Sequence, residues 1–200
     1  PQNLSAMLAN SGANMLFLDQ ACSRAWSTDE QAAAGLNRIW LDNTSDDATA
    51  WSTWLSADTQ PRPVSPEPHW PFNLIYSSGT TGTPKGIVQP CSMRWAHVQR
   101  AATNGYGPDT IMLASTPLYS NTTLVALLPT LALGGTVVLM SKFDTRRYLE
   151  LAQHHRVTHT MLVPVQYQRL MDDPAFDSFD LSSFQAKFST SAPFGAALKA

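Results

Sequence analysis

Downstream of residue 110 the chain alternates, without interruption, between short apolar runs and segments of helical periodicity. Residues 111–114 read as a strand, 123–133 as a helix stopped by Gly134 and Gly135, 136–140 as a strand, and 144–155 as a helix capped by Asp144. The series continues with a strand over 158–163, a helix from 164 to about 171, a strand over 186–188 and a helix starting near Pro193. A helix between successive strands is the connection that parallel pairing requires. The pattern therefore predicts an α/β fold, a mostly parallel sheet flanked by helices, with ligand sites at the carboxyl ends of the strands. Pro129 falls inside one of these helices and is unexplained by the pattern.

Upstream the periodicity is shorter in reach but similar in kind. Leu4, Met7 and Leu8 suggest a helix, Ser11-Gly12 a turn, and Met15 to Leu18 a buried strand. A second helix over about 21–34, a strand at 38–41, and a helical turn carrying Trp51 and Trp54 on one face follow, the tryptophans reading as core. Prolines at 61, 63, 66, 68 and 71 then deny helix and favour an extended connection. The expected organisation is a first βα block over 1–57, the proline-rich connection over 58–71, and a larger α/β block over 72–200, together one incomplete domain. Within the larger block, Cys91, Trp95, Val98 and Ala102 recur at helical spacing after Pro90, which predicts an amphipathic helix buried along that stripe.

Composition narrows the partners. The 200 residues are 44% hydrophobic and 14% charged, with 13 basic against 15 acidic side chains and a net charge of −2. That balance creates no field suited to nucleic acid or anionic lipid. No stretch approaches the roughly 20 apolar residues of a membrane span, and the N-terminus lacks the pattern of a secretory signal, so a cytoplasmic protein is expected. Cys22 and Cys91 lie far apart without a companion ligand and read as reduced thiols. His154, His155 and His159 have no partnered carboxylate in helical register and read as solvated side chains, and no metal ligand set is assigned. The chain opens on Pro1 directly at a helical pattern, as an internal piece of a longer protein would.

The chemistry concentrates in Ser77-Ser78-Gly79-Thr80-Thr81-Gly82-Thr83-Pro84-Lys85-Gly86, immediately after the strand-like run 72–77 and before a short return strand at 87–88. Glycines let backbone amides approach anionic oxygens, hydroxyls donate further hydrogen bonds, and the Lys85 ammonium neutralises terminal charge. These are the components of a polyphosphate cradle. The spacing is neither GxxxxGK[ST] nor GxGxxG.

At these residues the sequence resembles the adenylate-forming superfamily, which includes acyl- and aryl-CoA synthetases, luciferases and peptide-synthetase adenylation domains. Its signature is a Tyr-Thr-Ser-Gly-Thr-Thr-Gly-x-Pro-Lys-Gly loop, and Ser77 stands here for the usual threonine. The resemblance implies a two-step reaction, in which ATP and a carboxylic acid form an acyl-adenylate and a thiol then takes the acyl group. It implies that Ser77, Ser78, Gly79, Thr80, Thr81, Gly82, Thr83 and Lys85 hold the ATP phosphates with Mg²⁺, Lys85 being the catalytic residue. Thr116-Pro117-Leu118-Tyr119 is similar to the segment before the acyl-pocket helix, where many synthetases have histidine at the position of Ser120. Thr190-Ser191-Ala192-Pro193 is similar to a Gly-Gly-Ala-Pro turn near the adenine and acyl chain. Ser191, Ala192 and Pro193 are thus implied nucleotide contacts, and Tyr119, Ser120 and Thr190 substrate contacts. No acidic residue lies in 119–123 to recognise a substrate amine, which favours a CoA ligase over an amino-acid-activating domain; a non-catalytic nucleotide-binding homologue stays open. The family's later motifs do not occur in these 200 residues, so this piece alone is expected to be inactive.

Overall fold

The computed structural model describes residues 2–24, 35–42, 50–55, 60, 62–77 and 85–190. Two compact units are present, one formed by 1–67 with 73–88 and the other by 68–72 with 89–200.

In the first unit, α1 (Gln2–Ser11) ends at Gly12, whose φ of +67° suits glycine. β1 (Met15–Leu18) follows and pairs in parallel with β2 (Asn37–Trp40), Phe17 facing Ile39 in register. Between them α2 (Gln20–Arg24) begins under the Asp19 carboxylate, which accepts from the Cys22 amide at 2.7 Å. After β2 comes the short α3 (Trp51–Trp54). Its two tryptophans stack on each other at 5.5 Å and meet the edge of Phe17, at 6.1 Å for Trp51 and 5.3 Å for Trp54. Trp54 is 43% exposed and Phe17 44%, so this is a half-open aromatic cluster rather than the core position expected for the tryptophans. β3 (Pro71–Ser77) and β4 (Lys85–Pro90) form a second two-stranded sheet. Seven residues separate them, too few for a parallel crossover, which makes the pair a hairpin.

The second unit holds α4 (Cys91–Thr103), β5 (Ile111–Ala114), α5 (Asn121–Ala132), β6 (Thr136–Leu139), α6 (Thr145–His154), β7 (His159–Leu162), α7 (Pro164–Met171), a 3-10 turn (Phe176–Ser178) and β8 (Ala186–Ser189). The four strands pair in the order β6-β5-β7-β8, all parallel, as the alternation predicted. Successive side chains point to opposite faces and build two cores. Met112, Ala114, Ala126 and Leu127 pack with Met161 and Val137 on the face covered by α5. On the other face Leu113 and Leu162 pack with Tyr148, Leu149 and Ala152 of α6, Val157, and Leu170 of α7. Tyr148 is 2% exposed and its hydroxyl donates to Thr160 Oγ1 at 2.7 Å, which satisfies a phenol that burial would otherwise leave unpaired. Asp144 caps α6 by accepting from the Arg147 amide at 2.8 Å.

Pro129 is accommodated inside α5, in its buried last turns. It has no amide to donate to the carbonyl of Val125, one turn earlier. Thr130 contributes a side-chain bond instead, its hydroxyl donating to the Ala126 carbonyl at 2.8 Å.

The predicted inward stripe of α4 is corrected by the structure. Trp95 is 60% exposed and Ala102 is exposed, whereas the buried residues are Arg94 at 4% and Ala101 at 7%. The helix is rotated relative to its apolar stripe, so that a guanidinium occupies an inward position. His159 is likewise not solvated: it is 1% exposed, with Nδ1 at 2.8 Å from Thr158 Oγ1 and its ring 4.4 Å from Tyr106, while His154 and His155 are exposed. Among the described residues no helix is long and apolar enough to cross a membrane.

Among the described glycines, the closest backbone approach is at the turn from α5 into β6. Gly134 has φ +84°, and a Cβ on Gly135 would stand 2.8 Å from the Thr110 carbonyl oxygen and 3.1 Å from that of Gly107. Backbone atoms cannot swing aside as a side chain can. Gly135→Ala should therefore lower stability by about 1–3 kcal/mol, read as a shift in the urea midpoint at unchanged slope. A midpoint equal to that of the parent chain would show that the turn relaxes freely.

Candidate functional site

Parallel pairing sends the loops after β5, β7 and β8 to one edge of the sheet. The loop after β5 is held by Thr123, fully buried in the first turn of α5. Its hydroxyl lies 2.6 Å from Thr116 Oγ1 and donates to the Pro117 carbonyl at 2.7 Å. Ser120 is the N-cap of α5 with an extended backbone, φ −88° and ψ 134°, and its side chain makes no capping bond. Tyr119 is 80% exposed on the same loop. Thr190 lies just past β8, its amide donating to the Leu162 carbonyl at 3.3 Å. Thus Tyr119, Ser120 and Thr190, the implied substrate contacts, lie along one edge of one sheet.

Two further hydroxyls at this edge were not singled out from the sequence. Ser115, next after β5, and Ser189, the last residue of β8, have buried Oγ atoms without a hydrogen-bond partner among the described residues. Buried polar groups are nearly always paired, so unpaired hydroxyls at the carboxyl edge suit a polar ligand.

In the hairpin, Ser77 ends β3 and Lys85 begins β4, both exposed, so the pairing places the two ends of the predicted phosphate loop on neighbouring strands. Ser78, Gly79, Thr80, Thr81, Gly82 and Thr83 lie outside the described residues, as do Ser191, Ala192 and Pro193. The stems are anchored. A Cβ on Gly86 would come within 3.0 Å of Leu74 Cδ2 and 3.2 Å of the Tyr76 ring. The Tyr76 hydroxyl in turn sits 2.7 Å from Asn10 Oδ1 and 3.0 Å from the Met7 carbonyl oxygen of α1, sharing its proton between them.

The second unit also contains a cavity of about 300 Å³, between α4, α5 and the strands β7 and β8. His97, Arg100, Tyr106, Val125, Met161 and Phe188 are among the residues that line it. Val125 is the residue whose helical carbonyl bond Pro129 removes. Burial, followed by the charges of Arg94 and Arg100, pushes the His97 pKa down, which keeps the imidazole neutral at pH 7. Burial pushes the Tyr106 phenol up to about 12, so it stays protonated. One turn before His97, Arg94 donates from Nη1 to Asn121 Oδ1 at 2.9 Å, tying α4 to the first turn of α5 beside Ser120. None of these α4 residues was selected from the sequence. Their only signal was the i, i+3, i+7 spacing of Arg94, His97 and Ala101, which competes with a more apolar stripe on the same helix.

Known proteins match the chain over these same elements. A 4-coumarate–CoA ligase of Petroselinum crispum is 31% identical over 192 residues, which is 92% of this chain and 35% of that protein. An indoleacetate–CoA ligase of Aromatoleum aromaticum is 34% identical over 136 residues, 65% of this chain and 26% of that protein. The chain thus spans about a third of the length of the curated relatives it matches. The O-succinylbenzoate CoA synthetase of Bacillus subtilis, in complex with ATP and magnesium, superposes over 98% of this chain and 38% of its own with a TM-score of 0.80 at 22% identity, which speaks for the fold. The model of the AMP-binding enzyme family matches residues 1–200, and the chain belongs to that family.

Proposed function

We propose that this chain is the ATP-binding part of a carboxylate–CoA ligase, which joins an acid to ATP as an acyl-adenylate, releases pyrophosphate and passes the acyl group to the thiol of CoA. The observation that carries the reading is the hairpin that sets Ser77 and Lys85 at the two ends of a stretch with two glycines and five hydroxyls, Gly86 following directly after the lysine. In it Ser77, Ser78, Gly79, Thr80, Thr81, Gly82 and Thr83 hold the β- and γ-phosphates, with Mg²⁺ accompanying the nucleotide. Lys85 offsets the charge that develops on the leaving pyrophosphate. Ser191, Ala192 and Pro193 meet the adenine, and Tyr119, Ser120 and Thr190 meet the acid.

The loops at the carboxyl edge of the sheet support this division. Unpaired hydroxyls at Ser115 and Ser189 suit the polar end of an adenylate, and the cavity beside α4 suits the body of the acid. The relatives are named for indoleacetate and 4-coumarate, so the first acids to offer are aryl acids rather than fatty acids. A cytoplasmic location, where ATP and CoA are at hand, belongs to the same reading.

Catalysis requires charge placed at the α-phosphate as well as at the pyrophosphate, and these residues address the pyrophosphate. The 200-residue chain should therefore release no pyrophosphate from ATP and an aryl acid, and acid-dependent release by the purified chain would refute its incompleteness. For the full-length protein, exchange of labelled pyrophosphate into ATP should depend on the acid. Lys85→Ala should slow it by about 10²–10³-fold, the usual effect of removing one stabiliser of transition-state charge. Exchange that survives the substitution unchanged would remove Lys85 from the mechanism, and no exchange with any acid would leave a nucleotide-binding homologue without ligase chemistry.

A further inference from the structure

Helix α4 turns polar side chains inward where apolar ones were at hand. Arg94 and His97 lie one turn apart and share their face with Ala101, while Trp95 is left 60% exposed. A rotation that exposes a tryptophan and draws an imidazole into a cavity wall is unfavourable for packing alone. His97 Nδ1 is buried and has no hydrogen-bond partner among the described residues. Besides Arg100, Ala101, Asn104 and Val125, the cavity is lined by a flat and soft group of three: Tyr106 stacks with Phe188 at 6.2 Å and 29° between planes, and Met161 also lines it. Aromatic and thioether walls favour a ring. The volume of about 300 Å³ falls at the lower limit for ligand pockets, enough for one substituted ring and restrictive for a long acyl chain.

Resting on the ligase reading, we propose that His97 is a specificity-determining residue: the cavity takes the ring of an aryl acid, and a hydroxyl on the ring's far end completes the hydrogen bonding of His97 Nδ1. A hydroxyl both donates and accepts, so it satisfies either tautomer of a neutral imidazole. Burial, followed by the charges of Arg94 and Arg100, opposes protonation of the ring, so the imidazole that meets the hydroxyl is neutral. An acid without the hydroxyl leaves this buried nitrogen unpaired, the situation in which discrimination is strongest.

The test pairs cinnamate with 4-hydroxycinnamate, using the full-length protein, His97→Leu and His97→Gln. Calorimetry gives the ratio of the two dissociation constants, and pyrophosphate exchange gives the ratio of kcat/KM. The parent protein should favour the hydroxylated acid by at least about tenfold in both, since the unsubstituted acid strands a buried polar group. In His97→Leu the two ratios should fall to near one, and in His97→Gln, whose amide keeps a donor and an acceptor, they should recover in part. A ratio that His97→Leu leaves unchanged, or a parent protein that prefers cinnamate, overturns the proposal. Selective binding without exchange would uphold His97 and refute the ligase reading; exchange indifferent to His97 would do the reverse, and a parent protein that neither binds nor activates either acid would refute both. Should His97→Leu not fold, a loss of preference in His97→Gln upholds the proposal and an unaltered preference overturns it.

Discussion

Parallel pairing of β5 with β6 on one side and β7 on the other is the constraint from which the second unit follows. A parallel pair cannot be closed by a turn, so each strand must be followed by a crossover long enough to return the chain to the opposite end of the sheet. The helices α5, α6 and α7 are those crossovers, and their apolar faces cover the sheet. With all strands pointing one way, every loop that follows a strand emerges at the same edge. Ser115, Ser120 and Thr190 are separated by up to 75 positions in sequence and share that edge for this reason alone. Chemistry there needs no motif; it needs only that the right residues follow the strands.

Much of this was legible because strands and helices leave different periods in a sequence. The parallel pairing was implied by alternation, the end of α5 by Gly134-Gly135 and the start of α6 by Asp144, whose roles in the structure are those their chemistry suggests. The Ser77 to Gly86 run carries its functional reading for another reason: glycines, hydroxyls and a lysine in order are the parts of a polyphosphate cradle. What periodicity cannot supply is the rotation of a helix that has two plausible inward stripes. In α4 the more apolar stripe, through Cys91, Trp95, Val98 and Ala102, lost to the face of Arg94 and Ala101. The reason lies in tertiary contacts, since the Arg94 guanidinium reaches Asn121 on α5, a partner 27 positions away that no local pattern announces.

The tryptophans of α3 were misjudged for a related reason. Their three-residue spacing correctly places them side by side, but spacing does not say whether anything lies above them. They stack on each other and on the edge of Phe17, which buries ring faces within the cluster and leaves the outer surfaces open. His159 shows the converse. Grouped with His154 and His155 it reads as one of three solvated imidazoles, yet it opens β7 and packs under Tyr106, bonded to Thr158. Membership of a strand, and not proximity to other histidines, decides its environment.

These two kinds of misjudgement differ in what they imply. A half-open aromatic cluster or a buried histidine bonded to its neighbour is explained once the contacts are known, and asks for nothing else. Arg94 and His97 are different, because the helix had an apolar face to offer and turned a charged and a titratable one inward instead. Burying those groups opposes folding unless something compensates. For Arg94 the Asn121 side chain is part of the compensation. For His97 the described residues supply none at Nδ1, and a cavity lies beside it. A conflict between local pattern and observed burial that persists at a cavity wall is where selection for a ligand has outweighed selection for stability.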